Sequence, residues 1–203
     1  MTYIGREITK MSEIKVIEKP DSVSFDTISS VLRQAHKEHV DKGIVMRVPT
    51  LSPDELQKLL EENGKCFVAM SDDKVVGTVS YHMRTISRWY YQGELSELTM
   101  DGILPEYQGK HIFSLLEKRR EDTIRESGCK AMMFDTAADN THRIQIAKKN
   151  GFVLVDFCYV KSGHYSVVMV KWFDGCPFAR HYCALRFGVK KVFRKLLRLL
   201  TGK

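Results

Sequence analysis

Two stretches of this 203-residue chain carry chemically useful residue types at usable spacing. The first, Pro105-Glu106-Tyr107-Gln108-Gly109-Lys110-His111-Ile112-Phe113, stops a strand at its proline and opens a helix. A helix start presents unpaired backbone N–H groups and a partial positive charge, so a loop wrapped around it suits a phosphate or pyrophosphate. Lys110 adds a side-chain charge at that end. The second stretch, Glu94-Leu95-Ser96-Glu97-Leu98-Thr99-Met100-Asp101-Gly102, spaces three carboxylates along a strand. Simple alternation puts Glu97, Thr99 and Asp101 on one face and Glu94, Ser96 and Leu98 on the other. Gly102, beside Asp101, is compatible with a bulge that would splay the strand.

Between two strands lies Ile86-Ser87-Arg88-Trp89-Tyr90-Tyr91-Gln92. Three adjacent aromatics do not all bury together, so Trp89, Tyr90 and Tyr91 are expected to contribute to a substrate pocket. His36, His39 and Arg47, near the first helices, are second candidates for the same role. His36 and His39 are three apart with no third ligand near in sequence, so no metal site is expected. The five cysteines (Cys66, Cys129, Cys158, Cys176 and Cys183) lack the two-residue separation of zinc ribbons and redox motifs. Their odd number suits free thiols in a reducing compartment. No signal-peptide core opens the chain and no run of 18 apolar residues occurs, so a cytoplasmic protein is expected.

The elements that position these stretches follow from periodicity and punctuation. Ile14 to Glu18 reads as a strand. Ser24 caps a helix through Ile28, Val31, Leu32, Ala35 and His39 that closes near Gly43. Ser52-Pro53-Asp54-Glu55 starts a second helix, running to Asn63-Gly64. Cys66 to Met70 and Val75 to Met83 are strands joined by a turn at 71–74, and a third spans Glu94 to Leu104. A helix covers Gly109 to Ser127, with Gly128 as its cap, followed by a buried strand from Ala131 to Phe134. Asn140 opens the last helix of the body, ending at Asn150-Gly151, and Phe152 to Val160 pairs with Tyr165 to Trp172. The order β-α-α-β-β-β-α-β-α-β-β implies a mixed α/β fold: one mixed, mostly antiparallel sheet with helices on both faces.

Charge is distributed unevenly. The net charge is +7, yet from Asp174 onward there are eight Lys and Arg against one acid, leaving the first 173 residues neutral. A protein that grips nucleic acid usually carries its charge on the folded body, which argues against that partner. Apolar residues from Phe178 to Leu200 follow one helical stripe, flanked by Arg186, Lys190, Lys191, Arg194, Lys195 and Arg198. A basic amphipathic helix is therefore expected over residues 174–203, docking on the body, on a second copy in a homodimer, or at a membrane surface. The domain reading is an extension over 1–13, one α/β domain over 14–173, and this tail.

The order of elements, together with the 103–113 segment, resembles the GNAT acetyltransferase superfamily. A second signature, Asn140 followed eleven and twelve residues on by Gly151-Phe152, matches in register. The resemblance implies an acetyl-CoA-dependent N-acetyltransferase acting on an amine of a small molecule or peptide. Transfer to a sugar or other hydroxyl, and acyl-CoA binding without turnover, are the alternatives. It implies cofactor contacts at Met100, Gly102, Ile103, Gln108, Gly109, Lys110, His111, Ile112, Phe113 and Asn140, with Glu97 as general base. Two departures stand out. His111 and Phe113 occupy positions where the family favours small residues, and helical dihedrals would accommodate both. Ala147 stands where many members carry the tyrosine that protonates the thiolate, leaving Tyr159 or Tyr165 to substitute.

Overall fold

A computed structural model describes residues 13–159 and 165–173; the expected basic tail and N-terminal extension lie outside the described residues, apart from Glu13 at the start of the body. The elements are β1 (Ile14–Glu18), α1 (Phe25–Asp41), α2 (Pro53–Lys58), β2 (Gly64–Ser71), β3 (Lys74–Arg88), β4 (Tyr91–Ile103), α3 (Ile112–Glu126), β5 (Ala131–Ala137), α4 (Thr141–Lys149), β6 (Val153–Tyr159) and β7 (Tyr165–Trp172). They form one sheet ordered β1-β2-β3-β4-β5-β7-β6. Every pairing is antiparallel except that of β4 with β5.

Local chemistry explains the helix starts. The Ser24 hydroxyl accepts from the Thr27 amide. Ser52 and Glu55 cap each other reciprocally, each side chain accepting from the other's backbone N–H. α2 nonetheless stops at Lys58, short of the expected Asn63. The Gly64 amide bonds back to the Leu60 carbonyl, and a Cβ on Gly64 would lie 2.6 Å from the Leu60 backbone. That tight reversal feeds β2 directly and leaves no length for further helical turns.

The expected aromatic connection is instead the tip of a long hairpin. β3 and β4 stay paired from Gly77 with Ile103 to Arg88 with Tyr91, leaving only Trp89 and Tyr90 to turn the chain. This tip has its own packing surface: Tyr90 is buried with Ile86, Leu95, Met133, Val155 and Val168, against the β5–β7–β6 half of the sheet.

Helices cover both faces, and two glycines show which is which. A side chain on Gly102 would point at Leu32 and Ala35 of α1, whereas one on Gly77 would strike Ile103 of β4 and crowd Leu116 of α3. The larger core joins both layers through Leu32, Phe67, Val79, Met100, Leu116 and Phe134.

The bulge sits at Met100 rather than at Gly102. Ser80 pairs with Thr99 and Thr78 with Gly102, so Met100 and Asp101 together oppose Val79. Met100 takes φ +55°, a left-handed conformation costly for a residue with a Cβ. Gly102 serves packing: its missing side chain lets α1 approach, with an added Cβ only 3.1 Å from Ala35 and Leu32. Gly102→Ala should therefore destabilise the fold by about 1–3 kcal/mol through overpacking. Chemical denaturation should show a lower midpoint at unchanged slope.

Candidate functional site

β4 and β5 are joined at just two positions, Ser96 with Met132 and Glu97 with Met133. Beyond them β4 continues to Ile103 and β5 to Ala137 with no further pairing to each other, so the sheet opens between two parallel strands. Openings beyond the carboxyl ends of parallel strands are where α/β sheets bind ligands.

The 103–113 segment forms the end of this opening. After a single 3-10 turn at Pro105–Tyr107, Gly109 takes φ +74° and His111 φ +60° before α3 begins at Ile112. His111 thus departs from the helical dihedrals expected of it. Histidine is among the residues enriched in the left-handed region, which keeps the cost of this departure modest. Left-handed residues flanking a helix start gather backbone N–H groups into a concave, anion-attracting nest. α1, α2 and α4 are capped by Ser24, Ser52 and Asn140, but His111 gives α3 no side-chain cap. The Gln108 side-chain Nε2 donates to the Ile103 carbonyl at 3.1 Å and braces the loop. Lys110 and Lys74 both place their ammonium groups over the Tyr107 ring, at 4.8 and 5.6 Å. Phe113 packs its ring against the Arg143 guanidinium, 5.0 Å away, on the α4 side of the loop.

Glu97 lies opposite His82 on β3. Its carboxylate is mostly buried, 2.6 Å from Arg84 Nη1 and 3.4 Å from His82 Nε2. Burial alone would raise its pKa. Hydrogen bonds from His82 and Arg84, with the arginine charge, outweigh that and hold it below the ordinary carboxylate range. Asp101 does not share its face. The extra residue at Met100 reverses the alternation, so the Asp101 carboxylate meets Arg120 of α3 and Arg143 of α4. The Asp101 carbonyl meanwhile accepts from His36 Nε2 at 2.7 Å, which ties α1 to the same peptide.

The remaining expected site residues fall in different places. Asn140 is nearly buried and caps α4, its carbonyl oxygen accepting from the Arg143 amide at 3.2 Å while its nitrogen donates to Thr136. Ala147 is fully buried in the core. Tyr159 ends β6, the sheet's edge strand, so its backbone is two strand spacings, roughly 10 Å, from β5. Tyr165 begins β7, whose carbonyl there accepts from the Ala138 amide just past β5, so the structure brings this tyrosine nearer the opening. Of the aromatics, Tyr90 is spent on packing, Trp89 donates to Asp156 at 3.3 Å, and the Tyr91 hydroxyl donates to the Glu94 carbonyl. Together they wall the face that carries Leu95 and Glu97 rather than forming a free loop over it. Sequence reasoning passed over His82, Arg84, Arg120 and Arg143; each answers a carboxylate on a different element, and no local spacing announces that.

His36 gives a direct pH test. Burial depresses its pKa below 6.5, and the neighbouring His39 adds to this, while the bond to the Asp101 carbonyl opposes it. The neutral ring is therefore the folded form. Its contribution is complete above the unfolded value of 6.5 and is lost as pH falls through the folded pKa. His36→Gln, which keeps a donor but does not titrate, should flatten that part of a stability-versus-pH curve measured by thermal melting.

Comparison with known proteins bears on this arrangement. The family model described as the acetyltransferase (GNAT) family matches residues 32–152. Among solved structures, the PaiA N-acetyltransferase from Thermoplasma acidophilum in complex with coenzyme A superposes with a TM-score of 0.59 at 18% identity, covering 79% of this chain and 99% of that one. A ribosomal-protein alanine N-acetyltransferase from Escherichia coli gives 0.60 at 12% identity, over 81% and 97%. An acetyltransferase from Streptococcus agalactiae gives 0.60 at 15%, over 79% and 98%. At these identities the likeness is one of fold. No curated protein matches the chain in sequence.

Proposed function

The chain belongs to the acetyltransferase (GNAT) family, and from that premise we propose that it transfers an acyl group from acetyl-CoA directly to an amine. The observation that carries this reading is the uncapped, left-handed start of α3 at the end of the β4/β5 opening. Acetyl-CoA, when bound, supplies an activated thioester and a thiolate leaving group. The backbone amides of Gly109, Lys110, His111, Ile112 and Phe113 would hold its pyrophosphate beside Gln108, whose own N–H is taken by the Pro105 carbonyl, with Lys110 adding charge. The open edge of β4 through Met100, Gly102 and Ile103 would meet the pantetheine arm, with Asn140 across the opening at the start of α4.

Glu97 is the base in this reading, and its environment bears on the acceptor. A carboxylate held low by Arg84 and His82 is ionised at neutral pH but accepts protons weakly. An ammonium releases its proton near 10.4, whereas a hydroxyl resembles water at about 15.7. Amine transfer therefore suits this base better than sugar or hydroxyl transfer. Ala147 supplies no hydroxyl to the thiolate, which favours a second reading as an acyl-CoA-binding module without turnover. A thiolate leaves adequately without help, so the enzyme reading stands first. Tyr165 is the better placed donor by its backbone position.

Two measurements test this. Acetyl-CoA at a hundredfold excess over Kd should stabilise the fold by about 2.7 kcal/mol, and an unmoved melting temperature at millimolar ligand would sink the cofactor assignment. With a panel of amines and thiol detection, Glu97→Gln should lower turnover on the order of 100- to 10,000-fold while leaving acetyl-CoA affinity nearly intact. Binding without thiol release from any amine would select the module instead.

A further inference from the structure

Behind the bulge, on the side away from Glu97, four charged side chains converge from three elements. Arg120 of α3 is fully buried. It pairs with the Asp101 carboxylate, Nη2 lying 3.3 Å from Oδ2, and Nη1 donates to the Ser80 carbonyl at 3.1 Å. Arg143, in the first turn of α4, reaches the same carboxylate at 2.8 Å and Glu117 of α3 at 3.4 Å. Glu117 also lies 3.8 Å from Arg120 and accepts from Asn150 at 2.6 Å. The Phe113 and Phe134 rings enclose the Arg143 guanidinium at 5.0 and 4.5 Å.

A buried ion cluster is no efficient way to stabilise a fold, because desolvation of the charges offsets their attraction and apolar packing often does as well. What such a cluster does supply is fixed geometry. Here the two arginines fasten on residues at the irregularity, the Ser80 carbonyl and the Asp101 carboxylate: Ser80 borders the register shift, and Asp101 directly follows the left-handed Met100. His36 holds the carbonyl of Asp101 from the opposite face at 2.7 Å. The Asp101 residue is thus gripped by side chain from one face and by backbone from the other.

We propose that the Asp101–Arg120–Arg143–Glu117 quartet, with His36, is the clamp that holds the Met100 bulge, and that Asp101 is a positioning residue for acyl transfer. This rests on the acetyltransferase reading. The clamp keeps β4 away from β5 and fixes the backbone that faces the thioester. It also links the bulge rigidly to the first turn of α4 and, through Phe113, to the first turn of α3. The bulge geometry and the loop geometry are therefore set by one cluster.

The test is Asp101→Asn in the full chain, with folding checked by near-ultraviolet circular dichroism and hydrogen exchange followed by segment. The amides of residues 99–103 should exchange at least about tenfold faster, while those of β2 and β7 keep their protection, as expected for local rather than global opening. Turnover should fall by about a hundredfold, the cost of a small misplacement of reacting groups, and by more than acetyl-CoA affinity falls. Asp101→Glu should recover part of both effects. If Asp101→Asn does not fold, His36→Ala decides by the same readouts, since it frees the same peptide without stranding a buried charge. Unchanged exchange over 99–103 in a folded variant would overturn the clamp, as would a rise spread evenly over the sheet. Faster local exchange with full turnover would overturn the positioning role. Should the native chain show no turnover with any amine, the acetyltransferase reading fails, and the exchange data still judge the clamp separately.

Discussion

A strand that pairs along its whole length on both sides has no backbone left to offer a ligand. β4 pairs with β3 along its length apart from the bulge, so everything depends on its release from β5 after Glu97. The extra residue at Met100 lies three residues past that release. It bends the strand, re-aims the side chains that follow and leaves an unpaired edge. The cost is a non-glycine residue at φ +55°, about 1–3 kcal/mol of backbone strain that the surroundings must over-determine. Met100 itself helps, being fully buried with its sulfur accepting from the Ser80 hydroxyl at 3.5 Å.

The rest of the body can be understood as support for that one departure. α1 presses against β4 where Gly102 leaves room, and α3 fills the opposite face where Gly77 leaves room. α3 must start close to the end of β4, and a 3-10 turn followed by two left-handed residues brings it there, with eight residues separating Ile103 from Ile112. The far half of the sheet would otherwise expose apolar residues on the same face as Glu97. The β3–β4 hairpin covers it with its own tip.

Much of this was legible in the sequence, and the failures share a cause. Helix starts at Ser24, Ser52 and Asn140 were readable because a cap is a local bond between residues three apart. The mixed sheet was readable from element order. The bulge was misplaced because glycine attracts such assignments, and methionine gives no sign of a left-handed backbone. That single misplacement inverted the face of Asp101. The aromatic tip was mistaken for a loop because its β-forming residues were judged without the surface they pack on. Arg84, His82, Arg120 and Arg143 stayed invisible because ion pairs across strands and helices leave no periodic trace. Sequence reasoning handled what is settled within about four residues and missed what is settled across the sheet.

The two faces of β4 also differ in how charge is balanced, and the difference has a mechanistic sense. Behind the strand, two arginines meet two carboxylates, so the cluster sums to zero and can fix geometry without a strong field on the opening. In front, Glu97 is also neutralised, but by Arg84, whose side chain is about half exposed and sits within reach of solvent. Under the function proposed above, a cationic amine entering this face would compete with a half-exposed guanidinium for the same carboxylate. Arg84 is the more readily displaced partner, because its side chain already reaches solvent whereas Glu97 is mostly buried. An ammonium that takes the place of Arg84 also takes over its charge and its hydrogen bond, so Glu97 stays ionised while its partner becomes a group able to lose a proton. In the proposed reading, exchange of one cation for another, rather than a change in Glu97 itself, brings a removable proton to the carboxylate: a guanidinium keeps its protons, whereas an ammonium can give one up.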